Sequence, residues 1–345
     1  MISKKRRMIE KLSLKNFKGI RKGLLNLSQL TILLGANNSG KTTILEALFL
    51  APNPFRRVPY NTPHSTAAEV ITILHKTLKT EGFAFLLTNY IENEAEIRCS
   101  IKGEEIWLKF IKIGDKIYVS TNKKEIPFND IYLPNIKIRY FGALSASSRS
   151  YDCYYSEKFL PNSLLISPKL VKLAQGYIEM NWIEIANRGV GTNVAKEVSE
   201  FSDEKYKDIT IEPFLGGYSA IYAYREDGVR IRLGDLGDGI QNYIISRMLY
   251  ELEKPDILLW DDIEAHFNPR IIAKIAEWFY DIIEEGKQVI LATHSIEAAK
   301  MIAGVNEEFS KIYILKLKNG ILSSEELSFE DLIGYEEAGI DMRLL

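Results

Sequence analysis

Lys41 and Thr42 close a spacing that selects for phosphate. Gly35–Thr43, GANNSGKTT, reads as GxxxxGK[ST], with the apolar run Leu30–Leu34 before it and an amphipathic run to Leu50 after it. Such a loop between a buried strand and a helix N-terminus turns consecutive backbone N–H groups inward. Gly35 and Gly40 let the chain curl, and Asn37, Asn38, Ser39 and Thr43 complete the candidate phosphate-binding set. Lys41 supplies a point charge for the β- and γ-phosphates, and the Thr42 hydroxyl is suited to Mg²⁺.

Three further stretches could meet that loop. Asp256–Asp262, DILLWDD, is an apolar run ending in two carboxylates. Its strand, Ile257–Trp260, is expected beside Leu30–Leu34, bringing Asp261 to the Mg²⁺ next to Thr42 and leaving Asp262 to orient or deprotonate water. A second buried strand, Gln288–Ala292, runs into Thr293, His294 and Ser295. A neutral imidazole at the carboxyl end of a central strand can hydrogen-bond a γ-phosphate or the water. In Leu233–Ile244, LGDLGDGIQNYI, residues Gly237, Asp238 and Gly239 precede an amphipathic helix, so their N–H groups form another anion site. One nucleotide does not need two such loops; a second that faces outward can close over the nucleotide of another copy.

The elements that position these groups follow from periodicity. Ile9–Phe17 alternates apolar and polar residues, Leu24–Leu27 follows a turn at Lys18–Gly19, and Leu30–Leu34 is a core strand. The helix Lys41–Leu50 stops at Pro52. Asn53–Ser65, with three prolines and Arg56 and Arg57, reads as an excursion over the surface, and Ala67–Leu78 as a helix. Runs at Phe83–Tyr90, Ala95–Ile101, Glu105–Ile113, Lys116–Ser120 and Ile136–Phe141 predict an antiparallel meander beside the core. From Ser156 to Phe201 the spacing is helical, with Leu170, Leu173, Tyr177, Met180 and Ile183 on one face. Short strands return at Ile209–Phe214, Ala220–Tyr224 and Val229–Leu233, before a helix at Pro269–Glu284. The expected organisation is an N-terminal core part (1–52), a β-rich lobe (53–150), a helical subdomain (151–206) and a C-terminal core part (207–345).

With 345 residues, 46% hydrophobic and 26% charged, the chain is that of an ordinary globular protein. It has no apolar run near the ~20 residues of a membrane helix and no secretory leader, so a cytoplasmic location with no membrane partner is expected. Cys99 and Cys153 are too few for a disulfide framework or a zinc site, and both are expected reduced. Net charge is −2, but nine basic residues crowd Lys4–Lys22 against Glu10, and seven acidic residues follow Gly320 against Arg343. The basic end can contact phosphates, or can simply guard a solvated strand edge.

The motif order resembles the ABC-class P-loop ATPases, and more narrowly the heads of SMC, Rad50 and RecF proteins and the AAA15/AAA21-type and OLD-family ATPases. LSLKNFKGI followed by LTILLGANNSGKTTILEALF resembles their opening; LGDGIQ stands at the signature loop, LLWDDIEAHFNP at the Walker B segment and LATHS at the switch-histidine loop. The resemblance covers about Ile9–Phe49 and Leu233–Ile302 and leaves the middle unmatched. It implies an α/β fold, an ABC-type P-loop NTPase head with a central, mostly parallel sheet, a β-rich side lobe and a helical subdomain. It also implies ATP sandwiched between the Walker A loop of one subunit and Gly237–Gly239 of another, hence a homodimer. Lys41 and Thr42 would then grip phosphate and Mg²⁺, Asp261 would complete the metal site, and His294 would sense the γ-phosphate.

Departures from the pattern are specific. Asp262 replaces the usual glutamate base, with Glu264 two residues on as a compensating carboxylate; Asn268 replaces a frequent histidine, with His266 nearby. No glutamine lies between Thr43 and Ala174 for the Q-loop, where Ser145 and Arg149 are candidates. Neither a long coiled coil nor a Toprim nuclease domain is expected. The leading expectation is a dimerising ATPase switch coupled to a DNA transaction or a protein effector. Its rivals are a nucleotide-gated binding module with negligible hydrolysis and a transporter ATPase subunit.

Overall fold

The computed structural model describes residues 8–60, 65–76, 83–114, 116–122, 131–133, 136–138, 158 and 160–338; Lys4–Arg7, Ser145, Arg149 and Cys153 lie outside them. Alternation buries Leu12, Leu14 and Phe17 in β1 (Lys11–Phe17), which turns at Lys18–Gly19 into β2 (Ile20–Asn26). The fully buried β3 (Leu30–Leu34) leads into α1 (Lys41–Leu50) and, later, α2 (Ala67–His75). Thr66 and Glu69 form a reciprocal capping box at the start of α2. The meander is β4 (Glu94–Ile101), β5 (Glu104–Ile113) and β6 (Lys116–Thr121), followed by the short pair β7 (Ile131–Leu133) and β8 (Ile136–Ile138). Then come β9 (Ser163–Ile166), α3 (Pro168–Met180), α4 (Trp182–Asn187) and α5 (Val190–Phe201). A separate three-stranded sheet, β10 (Tyr206–Pro213), β11 (Ser219–Arg225) and β12 (Arg230–Arg232), precedes α6 (Asp238–Glu253). The chain continues through β13 (Ile257–Trp260), α7 (Pro269–Glu284), β14 (Gln288–Thr293), α8 (Ile296–Val305), β15 (Ser310–Lys318), β16 (Ile321–Leu327) and α9 (Phe329–Glu337).

Eleven strands share one sheet in the order β6-β5-β4-β1-β2-β16-β15-β3-β14-β13-β9. The run β15-β3-β14-β13-β9 is parallel and buried, as strands covered on both faces must be. The meander extends the same sheet through the antiparallel pairing of β4 with β1. Contrary to expectation, β13 does not lie beside β3, because the histidine strand β14 runs between them. Adjacency of parallel strands is set by crossover packing, which leaves no local trace in sequence.

Three other expectations are corrected. Phe83–Tyr90 is not a strand but two 3₁₀ turns, because Asn89 and Tyr90 take φ of 56° and 63°, outside the extended region. Asn53–Ser65 does not run over the surface at Arg56, which is 1% exposed. The Arg56 guanidinium donates to the Phe49 and Asn53 carbonyls at the end of α1 and to Ser163, and stacks on Phe49 at 4.5 Å. A cation so placed satisfies carbonyls that a helix end leaves free and opposes its dipole, even though burial pulls the Arg56 pKa down to about 9. Finally, Met180 and Ile183 leave the buried face set by Leu170, at 54% and 78% exposure. The helix breaks at Asn181, which ends α3 and starts α4, so the spacing no longer continues one stripe. Among the described residues no helix is long and apolar enough to cross a membrane.

Candidate functional site

The parallel strands end on one edge of the sheet, Leu34 level with Thr293 and Trp260 with Leu291. That carboxyl edge is where open α/β sheets hold ligands. Gly35 opens the loop there with φ 154°; a side chain on it would meet the Leu315 carbonyl at 2.7 Å, so only glycine lets the loop leave β3. Lys41, 4% exposed, folds back under the loop. Its Nζ donates to the Gly35 carbonyl (2.8 Å) and the Ala36 carbonyl (3.0 Å), and lies 3.3 Å from His294 Nδ1. Burial holds the Lys41 pKa below its ordinary value against the charges of Asp261, Asp262 and Glu264.

Helix α1 packs across β9, β13 and β14, so its first turn reaches over the histidine strand. The Thr42 hydroxyl thereby donates to Asp261 Oδ2 at 2.9 Å. Asp261 is 9% exposed, and burial followed by the adjacent Asp262 charge pushes its carboxyl up to about 7. Its Oδ1 is buried with no hydrogen-bond partner among the described residues. An orphaned, charge-disfavoured carboxylate oxygen beside a hydroxyl fits a divalent cation. Mg²⁺ bound through one or two side chains and phosphate oxygens needs no all-protein cage, and among the described residues no cluster of three or more His, Cys, Asp or Glu could hold a metal.

Asp262 leaves β13 in the left-handed region at φ 51°, where a non-glycine residue is strained. Its Oδ1 lies 3.6 Å from His294 Nε2, so the histidine stands between Asp262 and Lys41. In Glu264 one carboxylate oxygen accepts from the Thr293 hydroxyl (2.6 Å) and the other from the His294 N–H (2.5 Å). Both Glu264 oxygens thus accept from the end of β14, one of them from the backbone N–H of His294.

Asn37, Asn38, Ser39, Gly40, Lys41, Thr42, Thr43, Asp262 and His294 line one cleft of about 770 Å³. Lys18, His75 and Leu317 line it too, and the sequence did not single them out. Lys18 and His75 both pair with Glu46, a 1%-exposed carboxylate on α1. An acid inside the otherwise apolar run ILEALFL is a signal that a buried cation must meet it, though not which one.

Gly237, Asp238 and Gly239 do not line this cleft. Gly237 and Asp238 are exposed at the start of α6, while Gly239 is buried against the turn after β13. A side chain on Gly239 would sit 2.6 Å from the His266 carbonyl, and Asp238 Oδ2 lies 3.5 Å from His266 Nδ1. Asn268 has its own task, accepting from the Ile271 N–H at 3.0 Å as the cap of α7.

Residues 8–151 match the family profile described as AAA ATPase domain, and residues 178–299 match AAA domain, putative AbiEii toxin, Type IV TA system. No curated protein sequence matches the chain. Similar solved structures include an Smc head bound to the C-winged helix domain of ScpA: TM-score 0.57, 16% identity, covering 94% of this chain and 99% of that one. The Smc head with an extended coiled coil, in a complex derived from Pyrococcus furiosus, has TM-score 0.56 and 14% identity over 96% of this chain and 98% of that one. One from Pyrococcus yayanosii has TM-score 0.57 and 12% identity over 96% and 99%. The fold is that of the Smc heads. In this chain the Gly35–Thr43 loop, Asp262 and His294 line one cleft at the sheet edge, and Gly237–Gly239 lies apart from them.

Proposed function

We propose that the head is an ATP-binding, ATP-hydrolysing switch that closes as a pair of copies and is coupled to a DNA transaction or a protein effector. The observation that carries this reading is the 2.9 Å contact between Thr42 and Asp261, 219 positions apart, beside the cleft that Thr42 lines with Lys41 and His294. Lys41 exchanges its carbonyl partners for phosphate oxygens, and the loop N–H groups of Asn37–Thr43 hold the same anion. Thr42 and Asp261 would hold Mg²⁺, which when bound would supply charge neutralisation for the phosphates. Asp262 orients water for in-line attack, and His294, fixed by Glu264, hydrogen-bonds the γ-phosphate. The exposed loop at Gly237 of a second copy covers that phosphate with the N-terminus of α6. In this reading the protein works in the cytoplasm without a membrane partner.

The geometry of Asp262 also favours a second reading, a nucleotide-gated module with negligible turnover. Its side chain is one methylene shorter than glutamate and leans on His294. Phosphate release, with and without DNA, and light scattering with ATP separate the two. The switch reading expects an ATP-dependent dimer, slow release from wild type, and Asp262→Asn arrested as the ATP-bound dimer. Turnover of Asp262→Asn equal to wild type removes Asp262 from the role; ATP binding with neither dimer nor release leaves the module.

A further inference from the structure

The β1–β2 hairpin carries charge that the cleft does not use. Lys11, Lys15, Arg21 and Lys22 are exposed, and no described residue forms an ion pair or side-chain hydrogen bond with any of them. Register sets Lys11 across from Ser100, Ser13 across from Arg98, and Lys15 between Glu96 and Lys22. Glu96 and Glu105, which face them, are already committed, Glu96 to Arg98 (2.7 Å) and Lys109 (3.4 Å) and Glu105 to Arg98 (3.0 Å), and neighbouring Glu94 holds Lys109 (2.7 Å). The four free cations, with Ser13 and Asn16, line a groove of about 490 Å³.

We propose that this groove receives the sugar–phosphate backbone of duplex DNA. Lys11 and Lys15 are four residues apart along one strand, about 13 Å, close to the axial rise of about four phosphates in one DNA strand. Ser13, Asn16 and Ser100 offer the hydroxyl and amide groups that accompany such contacts, so the groove positions a backbone without reading bases. A single strand would need open aromatic faces for its bases. The groove lining has none, and the neighbouring Trp107 already has the Lys109 ammonium over its ring at 5.5 Å.

The same hairpin ends at Lys18–Gly19, which lines the nucleotide cleft and is tied through Lys18 to Glu46 of α1. DNA in the groove and nucleotide in the cleft therefore act on one element, and each changes the affinity for the other by the same factor. Only this coupling rests on the proposed nucleotide switch; the groove binds duplex without it.

The test is the anisotropy of a fluorescein-labelled duplex two helical turns long, titrated with the full chain at rising salt. Four phosphate contacts predict a log–log slope of about −3.6, and Lys15→Glu/Lys22→Glu should weaken binding at least about tenfold and flatten the slope by about 2. Lys15→Gln/Lys22→Gln, which removes charge without reversing it, should show the smaller loss and the same flattening. Both variants should keep wild-type affinity for a fluorescent ATP analogue. Lys41→Ala should lose the analogue and keep nucleotide-free duplex binding, which separates failure of the groove from failure of the cleft. The proposal is overturned if the Glu variant binds duplex as wild type does, if wild type does not bind duplex, or if wild type prefers a single strand or polyglutamate.

Discussion

Asp261 sits where charge is costly: buried, next to Asp262, with one oxygen unpaired. Asp261→Asn keeps the shape and removes the charge. The nucleotide-free chain should therefore melt higher by ~2 °C or more, and the gain in midpoint that ATP with Mg²⁺ gives wild type should be lost. Differential scanning fluorimetry with and without Mg²⁺ reads both; a lower midpoint in the free variant would mean that the protein itself stabilises the charged carboxylate. At this scale the sequence was legible where one motif carries its own geometry, as in Gly35–Thr43. It was not legible for Glu264, whose position suggested chemistry while its oxygens serve the end of β14. Nor did it reveal Lys18 or His75, which reach the cleft from a turn and a helix end whose local patterns say nothing about ligands.

Among elements, the start of α6 separates two glycines by what surrounds them. Gly237 has φ −61° and open space where a side chain would be, while Gly239 abuts the His266 carbonyl. Gly237→Ala should fold as wild type does yet lose ATP-dependent dimerisation in light scattering, because its methyl would stand between a backbone donor and the phosphate of the other copy. Gly239→Ala should instead lower stability by about 1–3 kcal/mol in urea titration, since a contact of that length forces backbone to move. Equal dimerisation of Gly237→Ala and wild type would count against a loop shared between copies. Strands and helices were readable because burial repeats along them, as in β1 and α7. Their order was not, since the insertion of β14 between β3 and β13 depends on how α1 and α7 pack, and left-handed residues such as Asn89 have no periodicity to betray them.

For the molecule as a whole, acid should act through Glu46. Burial pushes its carboxyl up, but the hydrogen bond from His75 and the charge of Lys18 outweigh that and hold it below its ordinary 4.5. A carboxylate depressed in the folded state contributes stability above pH 4.5, where the unfolded chain is already ionised, and loses it as pH falls through the lower folded value. Glu46→Gln should thus be less stable than wild type at neutral pH, by roughly 1–3 kcal/mol, with the gap closing below pH 4.5. Urea titrations at several pH values measure it, and a gap independent of pH would refute the ion pairing.

The eleven-stranded sheet is continuous but unevenly sewn. Between β16 and β2 a single pair, Ile321 with Lys22, is in register, helped by two N–H groups of the β2 strand on the Gly320 carbonyl. On one side of that seam lie β3, β13 and β14; on the other lie the meander and the β1–β2 hairpin, whose turn at Lys18–Gly19 reaches back to the cleft. Changes in the length or charge of β4, β5 and β6 therefore leave β3, β13 and β14, at whose ends Lys41, Asp261 and His294 stand, with every strand neighbour they have.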